Sequence, residues 1–330
     1  MLLHLSLLWL GSLLSLSATA WGGLALGYQL PARGPGRGWM IGAWIVMGLL
    51  VTVLPWSGHA GAALVVGAIA MTVLLAWWRT IRPSNTRVWA DDVARQLGSR
   101  VVGDIVTLEN VRNFEWRSLG DYSARWETRQ YDLGQLRSVD ALLSYWTGPL
   151  IAHVLVSFGF ADDRYLAFSI EIRKEHGEAY SALGGFFRKF ETGLVAADER
   201  DIVRLRSNLR REDVYLYRIA LPPDAIRSLF LAYLAEAESL RRRPRWYNTA
   251  TANCTTVVFE MLRRIVGRLP LDYRLLLSGR LPEYIAGLGG LTPGVDLATL
   301  RRAGCINTRA WLADQDPAFS QRIRDGVPGI

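Results

Sequence analysis

The sequence predicts an α+β domain that follows three membrane-spanning helices. Residues 1–78 are almost free of charge, with only Arg33 and Arg37, whereas the rest of the chain carries the acidic residues. Beyond this apolar region, alternating strand-like runs are interspersed with segments of helical periodicity. We therefore expect residues 1–80 to form a transmembrane region, residues 81–98 a linker, and residues 99–330 the α+β domain.

The apolar region divides into three stretches, each near the roughly 20 residues that cross a bilayer core. They cover residues 2–30, about 39–56 and about 60–78, with tryptophans near their ends as in an interfacial aromatic belt (Trp39, Trp56, Trp77 and Trp78). Three transmembrane helices are the simplest interpretation. The alternative is a cleaved signal peptide over Met1–Ala20, because Ala18-Thr19-Ala20 has the small-x-small form, although no basic segment precedes it.

The orientation of these helices is indicated weakly by flanking arginines. Arg33 and Arg37 lie between the first two stretches, and Arg79, Arg82 and Arg87 follow the third. By the positive-inside rule, this bias of a few residues favours a cytoplasmic α+β domain.

Charge and cysteine content limit the classes of function. The net charge of +8 belongs to the soluble part and its junction with the membrane, and a basic surface beside a bilayer fits anionic lipid at least as well as nucleic acid. No zinc-finger or aromatic-basic motif supports a nucleic-acid partner. The two cysteines, Cys254 and Cys305, exclude a multi-cysteine metal site and leave at most one disulfide. With no Gly-rich phosphate loop and no His-x-x-x-His helix, we expect neither metal nor cofactor.

The soluble part reads as a series of strands with helices near its end. Strands are predicted over 99–113, 125–132, 139–146 (or a short helix here), 151–160, 164–173 and 214–219. Helices are predicted over 181–190, 198–210, 223–243 and 254–266, followed by a tail of short helices and turns.

Cys254 is the candidate nucleophile, because it follows a polar loop at the start of the last predicted helix. A helix N-terminus lowers a thiol pKa and offers N–H groups to an oxyanion. Asn253 and Thr255 are good helix caps, so the alternative is a capped helix whose cysteine merely packs inward. We expect Asn253, Thr255 and the loop residue Tyr247 to line the site.

His153 is the candidate base. His4 and His59 lie in the apolar region, and His176 lies in a charged turn. His153 lies within the strand IAHVLVSF and shares its face with Ser157, which we include among the site-lining residues. The alternative is that His153 is a hydrogen-bonded residue of the core with no catalytic role.

Glu171 is the candidate third residue of the catalytic site, beside Cys254 and His153. An odd-residue turn centred on Asp162 pairs position 153 with position 171, and directly opposed residues point to the same face. Glu171 then orients the His153 ring, unless it pairs only with Arg173 or another basic residue instead. Ser169 and Arg173 share its face and are expected at the site. A nucleophile at a helix start, with its base and orienting acid on adjacent strands, is a papain-like (NlpC-type) arrangement in permuted chain order.

The sequence resembles the Lnb N-terminal periplasmic domain family over most of the chain from about Ile81 to Ile265. The resemblance rests on co-linear motifs: IRPSNTRVWADDVA (81–94), NVRNFEWRS…DYSARWETRQYDL (110–133), SYWTGPLIAHVLVSF (144–158), LAFSIEIRKEHGEAYSALGGFFRKFE (166–191), DERDIVRLR (198–206), EDVYLYRI (212–219) and WYNTATANCTT (246–256). The Asn253-Cys254 pair is also similar to the Asn-Cys step of the lecithin:retinol acyltransferase group.

The resemblance implies a domain on the periplasmic side of a bacterial inner membrane and thiol-dependent acyl transfer on lipid substrates. Better-known members are implicated in N-acylation of lipoproteins, and their motif positions correspond to His153, Glu171 and Cys254. Where those members have a long C-terminal membrane region, this chain has three N-terminal apolar stretches, so the lipoprotein reaction is less directly implied than the thiol chemistry. The resemblance favours the periplasm over the arginine bias.

The sequence therefore predicts a membrane-anchored acyltransferase with a Cys254–His153–Glu171 site. The expected partners are the lipid bilayer, a lipid-linked substrate and lipoproteins. One alternative is a thiol peptidase or amidase of the cell envelope; another is a non-catalytic binding module with a structural Cys254 buried far from His153.

An amphipathic stretch at Tyr180–Phe190 is a candidate membrane contact. Phe186, Phe187 and Phe190 would enter the lipid surface, with Arg188 and Lys189 at headgroup level. The alternative is a helix packed in the core.

Overall fold

The computed structural model describes residues 2–31, 34–267 and 269–330. They form two compact units. One comprises Met1–Ser84 with Ser181–Lys189, and the other comprises Asn85–Tyr180 with Phe190–Ile330.

The first unit contains three apolar helices: α1 (Leu2–Gln29), α2 (Arg37–Val53) and α3 (Ala60–Thr80). A 3₁₀ turn at Leu54–Ser57 continues α2. Each of these helices is long and apolar enough to cross a membrane, which confirms three apolar helices where transmembrane helices were predicted. Most of their large apolar side chains are exposed on the protein, as expected for helices whose solvent is lipid.

Helices α1 and α2 pack closely through small residues. A Cβ atom at Gly22 would overlap the Trp44 indole, and one at Gly48 would overlap the Thr19 side chain. The Trp44 Nε1–H donates to the Thr19 carbonyl at 2.9 Å. Small residues that let helix backbones approach are the usual means of helix association in membranes.

The segment Ser181–Lys189 belongs with the apolar helices rather than with the sheet. Phe187 stacks on Tyr28 with ring centroids 5.5 Å apart, and Gln29 Nε2 donates to the Phe187 carbonyl at 2.6 Å. Arg188 lies 4.7 Å over the Trp78 ring and donates to the Trp78 carbonyl at 2.6 Å. The ends of α1 and α3 therefore hold this segment.

Only part of the predicted 181–190 helix forms, namely α4 (Ala182–Phe186). Phe186 is 46% exposed, as a lipid-contacting residue would be, and Leu183 is similarly exposed. Phe187 packs on aromatic rings instead, and Phe190 is fully buried in the second unit. The amphipathic stretch is thus divided between the two units.

The second unit is built on an eight-stranded sheet in the order β1-β2-β9-β8-β7-β6-β10, with β5 also paired to β2. Its strands are β1 (Gly98–Val102), β2 (Ile105–Arg112), β5 (Trp126–Asp132), β6 (Leu136–Tyr145), β7 (Ala152–Phe160), β8 (Tyr165–Arg173), β9 (Glu191–Ala197) and β10 (Asp213–Arg218). A separate hairpin joins β3 (Glu115–Trp116) and β4 (Tyr122–Ser123). The β2–β9 contact is parallel and the other pairings are antiparallel.

The sheet differs from the predicted strands at two places. The single strand predicted over 99–113 is a hairpin, because Gly103 adopts a positive φ of 61° and forms a tight turn with Asp104. Strand β9 was not predicted, although it lies between β2 and β8. All its residues are buried, so it lacks the alternation that identifies a half-exposed strand.

Helices cover both faces of the sheet. They are α5 (Glu199–Arg204), α6 (Pro223–Arg242), α7 (Thr256–Val266), α8 (Leu281–Gly287), α9 (Leu297–Gly304), α10 (Asn307–Leu312) and α11 (Phe319–Arg322). On one face, Phe158 and Phe168 pack edge-on against Phe230 of α6. On the other, Leu155 and Val203 belong to a core that includes Phe319. The predicted mixed class and the predicted tail of short helices are confirmed.

Most of the predicted linker 81–98 is integrated into the second unit. Trp89 is buried and forms a bridge with Glu175, and Val93 is buried as well. Arg173 donates to the carbonyls of Val93 and Ala94, which fixes this segment on the sheet. The compact sheet unit therefore begins at Asn85 rather than at residue 99.

Candidate active site

Cys254 lies two residues before α7, on a loop that Asn253 holds in place. The Asn253 Oδ1 accepts the amide N–H groups of Thr255 and Thr256, both at 2.9 Å, and its Nδ2 donates to the Thr249 carbonyl at 2.8 Å. The helix that was predicted from Cys254 thus begins at Thr256, because the Asn253 side chain satisfies the first amides. The thiol still lies at the N-terminal end of α7.

The Cys254 thiol is buried beside the His153 ring and the Val154 amide. Burial raises the pKa of this thiol, but the His153 charge and hydrogen bonding from His153 and Val154 outweigh burial, so that the pKa is lowered. A lowered pKa favours the thiolate, which is the reactive form of cysteine.

His153 stands near the start of β7 and is engaged on two sides. Its Nε2 lies 2.7 Å from the Ser169 Oγ and 3.2 Å from the Glu171 Oε1. Burial and the Arg206 charge act to lower the pKa of His153. The negative charges of Glu171 and the Cys254 thiolate outweigh them and raise this pKa to about 9. The lowered thiol pKa and the raised imidazole pKa both favour the imidazolium–thiolate form over the neutral pair.

Glu171 lies opposite His153, as the turn symmetry predicted. Leu155 is paired with Ser169, and the same register brings residue 171 to residue 153. The Ser169 Oγ–H also donates to the Glu171 Oε1 at 2.7 Å. The alternative pairing of Glu171 with Arg173 is not formed, because the Arg173 guanidinium is bound to backbone carbonyls and stacks on Trp89.

Arg206 is a member of the site that the sequence did not indicate. It lies on a π-helical turn, Leu205–Leu209, that continues α5. Its Nη2 lies 3.0 Å from the Glu171 Oε1, and its Nη1 lies 3.3 Å from Glu212. Burial alone would raise the pKa of Glu171, but His153 and Arg206 hold it well below its usual range. In sequence, Arg206 is one of several closely spaced arginines, and a π turn has no pattern that singles it out.

A cavity of about 380 Å³ opens onto these groups. Cys254, His153 and Glu171 line it, as do the predicted Asn253, Thr255 and Tyr247. Apolar side chains complete part of its wall, namely Trp146, Ile151, Tyr180 and Leu276. Trp146 is 43% exposed and Tyr180 50% exposed, and their rings meet edge-to-face with centroids 6.3 Å apart.

Three other predicted site residues do not line this cavity. Ser169 is buried behind His153 as the hydrogen-bonding bridge described above. Ser157 shares the face of His153 but donates to the buried Glu199 at 2.6 Å, which in turn binds Arg324. Arg173 anchors the segment that contains Val93. Sharing a strand face places residues on one side of a sheet but does not place them at one end of it.

Two further observations bear on the cofactor and disulfide expectations. Across residues 2–31, 34–267 and 269–330, no group of three or more His, Cys, Asp or Glu side chains is arranged to hold a metal ion. Both Cys254 and Cys305 are free thiols.

The comparison with protein families matches residues 122–279 to the Lnb N-terminal periplasmic domain. No curated protein and no solved structure matched the chain. The matched segment contains His153, Glu171 and Cys254, whereas the 81–94 motif lies outside it. The predicted family resemblance is confirmed. Residues 122–279 thus resemble the Lnb N-terminal periplasmic domain, in a chain whose three N-terminal helices are long and apolar enough to cross a membrane.

Proposed function

We propose that this protein is a thiol-dependent acyltransferase of the bacterial inner membrane, with its sheet domain in the periplasm. It takes acyl groups from ester-linked lipid. The observation that carries the proposal is that the buried Cys254 thiol lies beside His153 in one cavity with exposed aromatic side chains.

The first half-reaction begins from the imidazolium–thiolate pair. The Cys254 thiolate attacks the ester carbonyl carbon and forms a tetrahedral oxyanion. The Cys254 amide N–H is suited to receive this oxyanion, because in the described part of the chain it has no hydrogen-bond acceptor. His153 gives its proton to the departing alkoxide, so that a thioester on Cys254, a free alcohol and a neutral imidazole remain.

The second half-reaction releases the acyl group. Neutral His153 takes a proton from an incoming amine or water, which attacks the thioester carbonyl. Collapse of the second oxyanion expels the Cys254 thiolate and restores the imidazolium beside it. An amine acceptor gives an amide and thus acyl transfer, whereas water gives hydrolysis.

Glu171 acts as a positioning residue through His153. Its carboxylate, held by Ser169 and Arg206, stabilises the charged imidazolium and fixes the ring orientation. Ser144, the cross-strand neighbour of His153, bonds Glu212, which also binds Arg206. The site is thereby braced by a continuous polar network on three neighbouring strands and the π turn.

The cavity wall favours an acyl substrate over a soluble peptide. Trp146, Tyr180 and Leu276 offer exposed apolar surface beside the thiol, which suits a hydrocarbon chain. A thiol peptidase or amidase remains the second candidate, since Asp92, Lys174 and Glu178 line the same cavity and would suit a charged peptide. The binding-module alternative required a thiol far from His153, and the position of both residues in one cavity argues against it.

Labelling with a long-chain alkyl chloroacetamide tests this proposal. The full-length protein in intact membranes is compared with Cys254→Ala, and Cys305→Ala is the matched control because Cys305 is the second free thiol. We expect labelling to require Cys254 and not Cys305. A peptidyl chloroacetamide that labels Cys254 faster than the lipid-like probe would favour the peptidase, and unreactive Cys254 would contradict both enzymes.

A further inference from the structure

A second cavity of about 440 Å³ adjoins the active-site cavity. The two share Trp146, Arg210 and Glu212 as lining residues. The second cavity is also lined by Arg211 and Arg301, so three arginines line it. The proposed chemistry does not use these three arginines.

The acidic residues that line this cavity do not neutralise its arginines. The Glu212 carboxylate accepts a hydrogen bond from Ser144 and lies 3.3 Å from the Arg206 guanidinium. Its distance to the Arg210 guanidinium is longer, 3.7 Å. One carboxylate therefore serves two guanidinium groups. Asp213 is the other acid in the lining, against Arg210, Arg211 and Arg301. The cavity retains an excess of positive charge that suits an anion.

Arg301 is also held in place by aromatic rings. Arg301 lies over the rings of Tyr145 and Tyr215, at 5.8 Å and 5.4 Å from their centroids, and its nearest carboxylate, Glu283, is 4.0 Å away. Arg211 has a left-handed backbone, with φ 55°, and an exposed side chain. A guanidinium stacked on aromatic rings is pre-organised for bidentate binding of a phosphate.

We infer that the second cavity binds the phosphate of a glycerophospholipid whose fatty-acyl ester is attacked by Cys254. This inference rests on the proposed function and deepens it by naming the acyl donor. In a glycerophospholipid, only the glycerol unit separates the phosphate from the ester carbonyls, which matches two cavities with a common wall. The acylated end of a lipoprotein carries no phosphate, so the inference selects phospholipid over lipoprotein as donor.

The test compares two donors that differ only in the phosphate headgroup. Full-length protein is reconstituted with phosphatidylglycerol or with diacylglycerol of the same chains in a neutral detergent, and acyl release is measured. For Arg211→Gln and Arg301→Gln we expect KM for phosphatidylglycerol to rise by about tenfold or more, because a hydrogen bond to a charged group is lost, while diacylglycerol turnover is unchanged. Arg302→Gln is the matched control, since Arg302 is exposed and lies outside both cavities.

A binding measurement separates this inference from the proposed function. Glycerophosphoglycerol, the soluble headgroup, is titrated calorimetrically into Cys254→Ser, and into the same protein with Arg301→Gln or Arg301→Lys. Binding that survives Cys254→Ser, falls with Arg301→Gln and is partly kept with Arg301→Lys supports the site even where no acyl transfer is found. Inorganic phosphate that binds as tightly as glycerophosphoglycerol, with equal KM for both donors, would assign the site to free phosphate and overturn the inference. An equal loss of acyl release from both donors in Arg301→Gln would also overturn the inference.

Discussion

The Nε2 atom of His153 lies 3.2 Å from the Oε1 atom of Glu171, its cross-strand neighbour on β8. The same carboxylate oxygen lies 3.0 Å from Arg206. One buried carboxylate thus balances an imidazolium and a guanidinium at once. The thiolate of Cys254 depends on this balance, because it is the imidazolium charge that lowers the thiol pKa.

Glu171→Gln should move the alkaline limit of acyl transfer to lower pH. The reaction needs a protonated His153 to release the alcohol, so activity should fall as pH rises through the His153 pKa of about 9. Removing the Glu171 charge removes a cause of the raised pKa, and the alkaline limb of the pH–rate profile should shift downward. The loss at neutral pH should be smaller than for Cys254→Ser or His153→Ala. An unchanged alkaline limb would mean that Glu171 does not act through His153.

The Glu171 carboxylate should also contribute to stability in a defined pH range. Its folded-state pKa is depressed, so this contribution is present above the unfolded pKa and is lost as pH falls through the folded value.

Arg206→Met leaves Glu171 and Glu212 without their common partner, and should lower the free energy of unfolding by about 3–5 kcal/mol at pH 7. Urea unfolding of the reconstituted protein at pH 7 checks this value. A loss below about 1 kcal/mol would show that the two acids find other partners.

Phe187→Ala should loosen the segment Ser181–Lys189 from the apolar helices. Phe187 stacks on Tyr28 and also contacts Trp21, so its removal takes away the largest buried group of the segment. Amide exchange of residues 181–189 should become faster by about tenfold or more, as expected for an aromatic-to-alanine change of several kcal/mol. Leu183→Ala is the control, since Leu183 is 55% exposed. Equal exchange in both variants would contradict the assigned packing.

The orientation of the sheet domain is testable by reporter fusions. The family match predicts a periplasmic domain, against the arginine bias around Arg37 and Arg79. Alkaline phosphatase fused after Ile330 should therefore be active, and green fluorescent protein at the same position should be dark. A bright fluorescent fusion with inactive phosphatase would place the domain in the cytoplasm.

Local sequence patterns predicted much of the fold and the pairing of His153 with Glu171 in the site. Long apolar runs identified all three helices of the membrane region, because lipid requires such runs regardless of tertiary packing. The register of β7 and β8 followed from turn symmetry about Asp162, which is why Glu171 was predicted opposite His153. Both features are encoded within a short stretch of sequence.

The features that were not predicted depend on contacts between distant segments. Strand β9 is buried on both faces and carries no alternation. Arg206 reaches Glu171 from a π-helical turn after α5, and Ser157 donates to Glu199 of α5 instead of lining the cavity. The division of Tyr180–Phe190 between two units likewise follows from what Phe187 and Phe190 each contact. Sequence periodicity describes one element at a time and does not contain these pairings.

The central claim is that Cys254 carries the acyl group, and the most direct test is to detect that group on its sulfur. Full-length protein is mixed with phosphatidylglycerol, quenched in acid within the first turnover, digested and analysed by mass spectrometry. We expect the peptide that contains Cys254 to gain one fatty-acyl mass, removable by neutral hydroxylamine as a thioester is. The adduct should be absent in Cys254→Ser and His153→Ala, with both variants folded by circular dichroism. Lipid turnover that continues in Cys254→Ser would contradict the account, as would an acyl adduct on Cys305 in place of Cys254.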